Sequence, residues 1–440
     1  MPEPATIHRR VREPMVTLGL VAVLLLGLQI PITMIRSVIG DRQATRDQAV
    51  AEVTENWGRA QTIIGPRVVV PFGYRPDGAT EDAVGLASFL PDELAIDAAV
   101  ASQPLTRGLF TIPAYRGTVR IEGRFSSAAD QALGVPREAL DWERASLVVE
   151  LTDTRGLGSE STLTWREESV PLLPGALSQD PLRTGVHSPV SWQPGEGAEF
   201  SIVLSLRGAS ELRFTPFARN TRVSLTSDWA DPSFVGAWLP ESREVDDAGF
   251  LASWEIPFLG RDYAQQCLSV DEPLESVRSS AFGVAFLSEV DGYRMAERST
   301  KYAALFLTFT FALIWLFDVT TGVRVHPIQY LLVGSAMCLF YLLELSLSEH
   351  LGFGAAYGIA ASSVVALVAG YAGAVLRSHA RGAVLGGVIG LTYAYLLALL
   401  TLEQYALLAG SVGLLVMLAI VMHQTRWIDW YSLGEDPAAI

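Results

Sequence analysis

The sequence predicts a multi-pass α-helical membrane protein of six transmembrane helices, with a large β-rich, sandwich-like insert between helices one and two. Three observations predict it. Apolar runs at Met15–Ile35 and again from Tyr302 to Met422 are long enough to cross a hydrocarbon core of about 30 Å. Between them, residues 36–300 alternate apolar and polar residues in short runs separated by Gly, Pro, Asp and Ser. Of the net charge of −15, the insert holds −14, from 24 basic and 38 acidic residues. An acidic insert repels phosphate backbones, so nucleic-acid binding is excluded.

The elements follow in order. Residues 1–14 form an N-terminal tail with His8, Arg9, Arg10 and Arg12, expected in the cytoplasm. Residues 15–35 form an anchor helix, too long for a cleaved signal peptide and without a small-x-small cleavage site. Pro31 is placed to bend it. Residues 36–58 continue as a helical extension, with Val50, Val53 and Trp57 at helical spacing. Residues 59–300 form the β-rich module. Leu147, Val149 and Leu151 alternate, as do Phe200, Ile202, Leu204 and Leu206, which reads as antiparallel strands with one buried face. Roughly ten short strands suggest a sandwich or related module, with the Pro- and Ser-rich stretch 170–195 as the boundary between two subdomains.

Residues 301–422 form a five-helix bundle. The expected spans are Lys301–Phe317, Ile328–Leu347, Phe353–Leu376, Ala383–Leu402 and Tyr405–Met422, each reaching about 25–35 Å. Residues 423–440 form a C-terminal tail. With the N-terminus inside, Arg324, Arg377, Arg381 and Arg426 fall on cytoplasmic loops or the tail, while the short outer loops carry Glu349, His350 and Glu403 and no Lys or Arg. That is the positive-inside pattern. Trp427, Trp430 and Tyr431 fit an interfacial belt. The expected location is a bacterial inner membrane, with both termini cytoplasmic and the insert in the periplasm. Gly334, Gly370, Gly373, Gly386, Gly387 and Gly390 permit close helix packing.

Common catalytic signatures are missing. There is no Walker-type phosphate loop, no Gly-x-Gly-x-x-Gly opening a helix, no His-Glu-x-x-His and no Gly-x-Ser-x-Gly elbow. Cys267 and Cys338 make no disulfide framework or cysteine-rich metal site. No catalytic residue, metal or cofactor is expected.

Several ordered stretches point to a known family. In the insert they are Arg107-Gly-Leu-Phe-Thr-Ile-Pro-Ala-Tyr115, Leu212-x-Phe214-x-Pro216, Ser227-x-Trp229 and Pro232-Ser-Phe234. Near the membrane they are Val290-Asp-Gly-Tyr293, Arg298-Ser-Thr-Lys-Tyr302, His326-Pro-Ile-Gln-Tyr-Leu-Leu-Val-Gly334 and Ser346-Leu-Ser-Glu-His-Leu-Gly352. In these the chain resembles the CreD (Cet) family of bacterial inner membrane proteins over nearly its whole length after residue 15. The resemblance implies a link to envelope integrity and envelope stress, including colicin tolerance and β-lactam response. It implies no established reaction. Two positions depart from the expected family pattern: Glu344, where an apolar residue is expected, and Ala264, where proline is expected within Arg261-x-Tyr263-x-Gln265.

Two groups of residues are candidate functional sites. Ser348, Glu349 and His350 set a carboxylate beside an imidazole at an outer membrane face, where acid–base work on a lipid-linked substrate is conceivable chemistry. The plainer account is a helix end meeting headgroups, since sequence neighbours on a helix do not face each other. Glu344, three residues inside the expected end of its span, is an intramembrane acid. At that depth it is expected to reach the interface. Asp291, Tyr293, Arg298 and Lys301, the chain's one lysine, crowd the junction of insert and membrane. They grip a headgroup or simply anchor the chain at the interface. His326-Pro327 starts a helix. Trp229, Phe234 and Trp238 line a glycan or lipid groove or fill a β core.

Two functions are consistent with these features. One is a non-enzymatic envelope protein whose insert binds a periplasmic or inner membrane protein partner or an envelope lipid. The other is a lipid- or glycan-handling enzyme or transporter with its site at 344–350, which requires a cavity there. The lipid bilayer is a partner in both, and the sequence leaves the oligomeric state open.

Overall fold

A computed structural model describes residues 13–74, 83–126, 135–178, 183–193, 196–268, 274–286, 292–321, 325–375, 377–402 and 405–426. Two compact units divide the chain: residues 1–46 with 290–440, and residues 47–289.

In the first unit, helix α1 (Glu13–Trp57) contributes its N-terminal three quarters. Anchor and extension are one uninterrupted helix that continues past Pro31. Val21, Leu28, Ile32, Ile35 and Ile39 are its buried stripe, at the spacing of one helix face. α2 (Leu274–Ser279) is a short helix of the second unit. The first unit resumes with α3 (Gly292–Lys301), α4 (Ala303–Thr321), α5 (Pro327–Leu351), α6 (Phe353–Val375), α7 (His379–Thr401) and α8 (Ala406–Thr425). Among the described residues, α1, α5, α6, α7 and α8 are long and apolar enough to cross a membrane. α4 carries a shorter apolar stretch, Ala303–Trp315.

Several expected boundaries move. Lys301 does not open a span but closes α3, whose buried residues Tyr293, Ala296, Ser299 and Thr300 share one face. α5 extends one turn beyond the expected Leu347 because nothing breaks it before Gly352, whose φ of +76° suits glycine and turns the chain into α6. His326 caps α5: its Nδ1 accepts from the Ile328 N–H at 3.3 Å, and Gln329 Oε1 accepts from the His326 N–H at 3.0 Å. Of the glycines expected at helix contacts, Gly334 meets Leu28 and Phe311 closely, and a Cβ at Gly386 would lie 2.6 Å from Ala369. Gly370 and Gly387 face nothing within 4 Å. A glycine spacing marks where helices can approach, not where they do.

The second unit is β-rich. Among the described residues its strands form a nine-stranded sheet, an eight-stranded sheet and a two-stranded ribbon. Nineteen strands replace the ten expected, because many span only two to five residues, too short for alternation to register. The strand Gln61–Tyr74 anchors the first sheet. It runs antiparallel to Ala83–Phe89 and Ser146–Leu151, and parallel to Glu211–Phe214. In the second sheet Ala198–Ala209 pairs antiparallel with Ala114–Phe125, which pairs with Glu93–Ser102, which runs parallel to Asn220–Ser227. The two parallel pairs depart from the all-antiparallel expectation; each joins strands far apart in sequence.

One buried cluster draws on both sheets, including Ile63, Val68 and Val70 from the first and Val119, Ile121, Ile202 and Leu204 from the second. The expected division near 170–195 is corrected here. Val186, Val190 and Trp192 belong to that cluster, and Gly185–Pro189 pairs with Ser146–Leu151. Proline and serine made this stretch look like a linker, but its few apolar residues bury it. Trp229, Phe234 and Trp238 also pack on the core. Trp229 meets Phe286 edge-on, Phe234 meets Phe250 and Trp254, and the Trp238 carbonyl accepts from Trp254 Nε1 at 3.2 Å.

Two polar clusters are buried in this unit. Glu150, 7% exposed, is held between Arg67 and Arg183, each 4% exposed. Arg67 Nη2 lies 2.7 Å from Glu150 Oε1, and Arg183 Nε donates to Oε2 at 2.7 Å while its Nη2 reaches Oε1. Asp153 accepts from the backbone N–H of Arg59 and of Arg155, each at 3.1 Å, and from Arg155 Nε and Nη2 at 2.9 and 3.0 Å. Burial works against its charge, but these donors outweigh burial and hold the carboxyl below its ordinary range.

Glu150→Ala removes the carboxylate shared by two buried guanidinium groups, and breaking a buried pair of this kind is expected to cost about 3–5 kcal/mol. At about 2–4 °C per kcal/mol for a unit of this size, the Tm of the purified protein falls by about 6–20 °C; a fall under about 3 °C contradicts the arrangement. Because Asp153 titrates lower when folded, it stabilises above its unfolded value of about 3.9 and that contribution fades as pH falls through the folded value. Asp153→Asn therefore flattens the acid limb of a Tm-against-pH curve below about pH 4.

Candidate functional site

α3 is the element that assembles the candidate residues of the first unit. Its buried face lies on α5, and two of its hydroxyls each donate to a carboxylate of that helix. Tyr293 Oη donates to Glu349 Oε1 at 2.8 Å. Ser299 Oγ donates to Glu344 Oε2 at 3.0 Å. α1 adds two guanidinium groups. Arg36 Nη2 donates to the Thr300 carbonyl at 2.8 Å, and Arg42 Nε lies 3.7 Å from Glu349 Oε1.

Glu349 is thus a sequestered carboxylate, 8% exposed. Burial raises the pKa of Tyr293; its hydrogen bond to Glu349 and that carboxylate's charge raise it further, against Arg42 and Arg46, which lower it. The phenol stays neutral and keeps donating.

Ser348, Glu349 and His350 do not converge. Ser348 Oγ donates to the Leu345 carbonyl at 2.8 Å, and the exposed His350 ring donates from Nδ1 to the Ser346 carbonyl at 3.2 Å. Of the three side chains, Glu349 is the one hydrogen-bonded to α3; Ser348 lies beside Gly292 of α3 but bonds within α5.

Glu344 faces inward. It is 0% exposed in the bundle, because its position on α5 faces Ser299 and not the helix exterior. Around it α5, α6 and α7 stack aromatic rings. Phe340 lies 5.0 Å from Tyr341, 5.2 Å from Tyr357 and 4.4 Å from Tyr393, and Tyr357 Oη donates to the Tyr393 carbonyl at 2.6 Å.

The remaining juxtamembrane candidates scatter. Lys301 Nζ pairs with Glu297 of its own helix at 2.9 Å on an exposed face. Arg298 Nη1 lies 4.0 Å from Met295 Sδ. Asp291 lies outside the described residues. Sequence reasoning named Tyr293, Glu344 and Glu349 but missed Ser299, Arg36 and Arg42. The available signal for Ser299 was the period of α3, with Tyr293, Ala296 and Ser299 three residues apart.

Each unit carries a concavity. A groove of about 530 Å³ lies between α4, α7 and α8, lined by apolar residues such as Phe306, Leu391, Tyr395 and Val416; none of its lining residues falls within 344–350. On the eight-stranded sheet of the second unit, a polar hollow of about 760 Å³ carries Glu93, Glu122, Arg124, Glu199 and Arg222. Among the described residues no group of three or more His, Cys, Asp or Glu side chains could hold a metal ion.

Helices of this length and hydropathy imply a lipid bilayer, so the chain is an integral membrane protein carrying a large β-rich region. It belongs to the CreD family: the family described as Inner membrane protein CreD matches residues 13–431. The chain is 32% identical over 419 residues to the inner membrane protein CreD of Escherichia coli (strain K12), covering 92% of this chain and 91% of that protein. Among solved structures, yeast LTA4 hydrolase in complex with bestatin shares 11% identity at a TM-score of 0.23, over 39% of this chain and 27% of that one. A likeness that slight carries no argument about fold or function.

In a double-mutant cycle of Tyr293→Phe and Glu349→Gln, followed by thermal unfolding, the coupling is expected at about 1.5–3 kcal/mol, the range for a hydrogen bond to a charged group. His350→Ala is expected within about 0.5 kcal/mol of wild type, as for an exposed side chain.

Proposed function

We propose that this CreD-family inner membrane protein is a non-enzymatic component of envelope integrity and envelope stress. In this reading the chain crosses the inner membrane six times, with α4 as the sixth span and both termini in the cytoplasm. Residues 59–300 form a sandwich-like periplasmic module that binds an envelope partner or lipid. The positive-inside arginines support the topology.

The observation that carries the non-enzymatic reading is the fate of the Glu349–His350 pair. Acid–base work needs both groups free to reach one reacting atom. Glu349 is engaged by Tyr293 and flanked by Arg42, and His350 turns back to its own helix. Family membership supports the envelope role. The mixed-sign hollow on the eight-stranded sheet supports recognition of a polar partner, since interleaved charges favour specificity over general adhesion. The catalytic or transport reading gains no support, because the apolar groove of the bundle lies away from 344–350.

The test is complementation of a strain lacking the protein, scored by survival under β-lactam and colicin challenge at matched protein levels. Ser348→Ala and His350→Ala are expected to restore the wild-type response. Paired Arg124→Glu and Arg222→Glu substitutions in the hollow are expected to weaken it at least several-fold. Loss of complementation by His350→Ala, with normal protein levels and unchanged Tm, overturns the non-enzymatic reading.

A further inference from the structure

Glu344 is a carboxyl group without the partners that a carboxylate needs. It is 0% exposed, and its Oε2 accepts one hydrogen bond, from Ser299 Oγ. Its Oε1 has no hydrogen-bond partner. Among the described residues no Lys, Arg or His nitrogen lies within 4.0 Å of it. The groups acting on one another electrostatically here are the phenols of Tyr341 on α5, Tyr357 on α6 and Tyr393 on α7. None is a cation. The Tyr393 hydroxyl is itself buried and without a partner.

An unpaired carboxylate in such surroundings costs several kcal/mol, and one neutral hydroxyl offsets only part of that. Something must neutralise it. A metal ion or an organic cation would need several more oxygen ligands or room. The rings of Phe340, Tyr357 and Tyr393 crowd this part of the bundle. A proton needs no room, and Oε1 is the open position for it.

We propose that Glu344 is a proton-binding site inside the helix bundle, with the proton on Oε1 and with Ser299 positioning the acid through Oε2. The site holds one proton at neutral pH and presents no charge to the bilayer interior. Intramembrane acids of this kind are where protons are stored or handed on in membrane proteins, and the Tyr393 hydroxyl, which lies within electrostatic reach of Glu344, is a second buried polar group of the same core without a hydrogen-bond partner.

The test is infrared difference spectroscopy, wild type against variant, of the full-length protein in an ester-free detergent at neutral pH, reading the carbonyl stretch of a neutral carboxylic acid, a band that a carboxylate lacks. The wild-type protein is expected to show this band and Glu344→Gln to lose it. Ser299→Ala is expected to keep the band and move it to higher frequency, because the carbonyl oxygen loses its donor. That variant identifies the group even where Glu344→Gln fails to fold. A wild-type spectrum without the band, or a band unmoved by Ser299→Ala, overturns the proposal.

Discussion

Trp57 carries two guanidinium groups over its ring, those of Arg116 at 5.5 Å and Arg207 at 5.1 Å. The next residue, Gly58, takes a φ of +139° against the backbone of Arg207, where a Cβ would lie 2.7 Å from the carbonyl oxygen. Here a helix of 45 residues stops and a strand begins. The rest of the β-rich unit depends on that conversion. It sets the start of Gln61–Tyr74, the strand from which the nine-stranded sheet extends on either side. Arg59, one residue on, is tied through its backbone N–H to Asp153, and Gln61 Nε2 donates to the Asp153 carbonyl. Three consecutive devices, a cation–π contact, a positive-φ glycine and a buried carboxylate, thus fix one junction.

The first unit solves a different problem with fewer means. Without a hydrophobic force between helices in lipid, close packing and hydrogen bonds must hold them. Gly334 lets α1 and α4 approach α5 through Leu28 and Phe311. α3 then supplies hydroxyls to the two acids of α5. A ten-residue helix with polar residues on its buried face is an economical connector, because it gives each acid a hydroxyl donor, Glu344 through Ser299 and Glu349 through Tyr293 beside Arg42.

Much of this was legible in the sequence, within limits set by what a pattern can encode. Hydropathy marked α5 through α8 to within a few residues, since a run of apolar side chains has few other uses. It missed α3, whose mean composition is polar and whose message lies in a three-residue spacing. Alternation told which side chains of Ala198–Ala209 face inward, and Phe200, Ile202, Leu204 and Leu206 are buried as read. It could not tell that Gln61–Tyr74 runs beside Glu211–Phe214, because a face is a local property and a partner is not. The candidate acids were visible as residue types. That Glu344 faces Ser299, 45 positions earlier, and that Glu349 turns to Tyr293 instead of its neighbour His350, was not.

The pairing of Gln61 with Leu212 and of Asn220 with Glu93 also governs how the chain can be made. Synthesis delivers Gln61–Tyr74 early, directly behind a helix already committed to the bilayer. Its parallel neighbour arrives only after about 150 further residues, so this pairing cannot form until about two thirds of the insert has emerged. During that interval an apolar strand waits with open edges, tethered beside the membrane. Biogenesis of this protein therefore has a vulnerable stage built into its topology, and a ribosome stall or a truncation anywhere before Leu212 yields an anchored but unclosed β module.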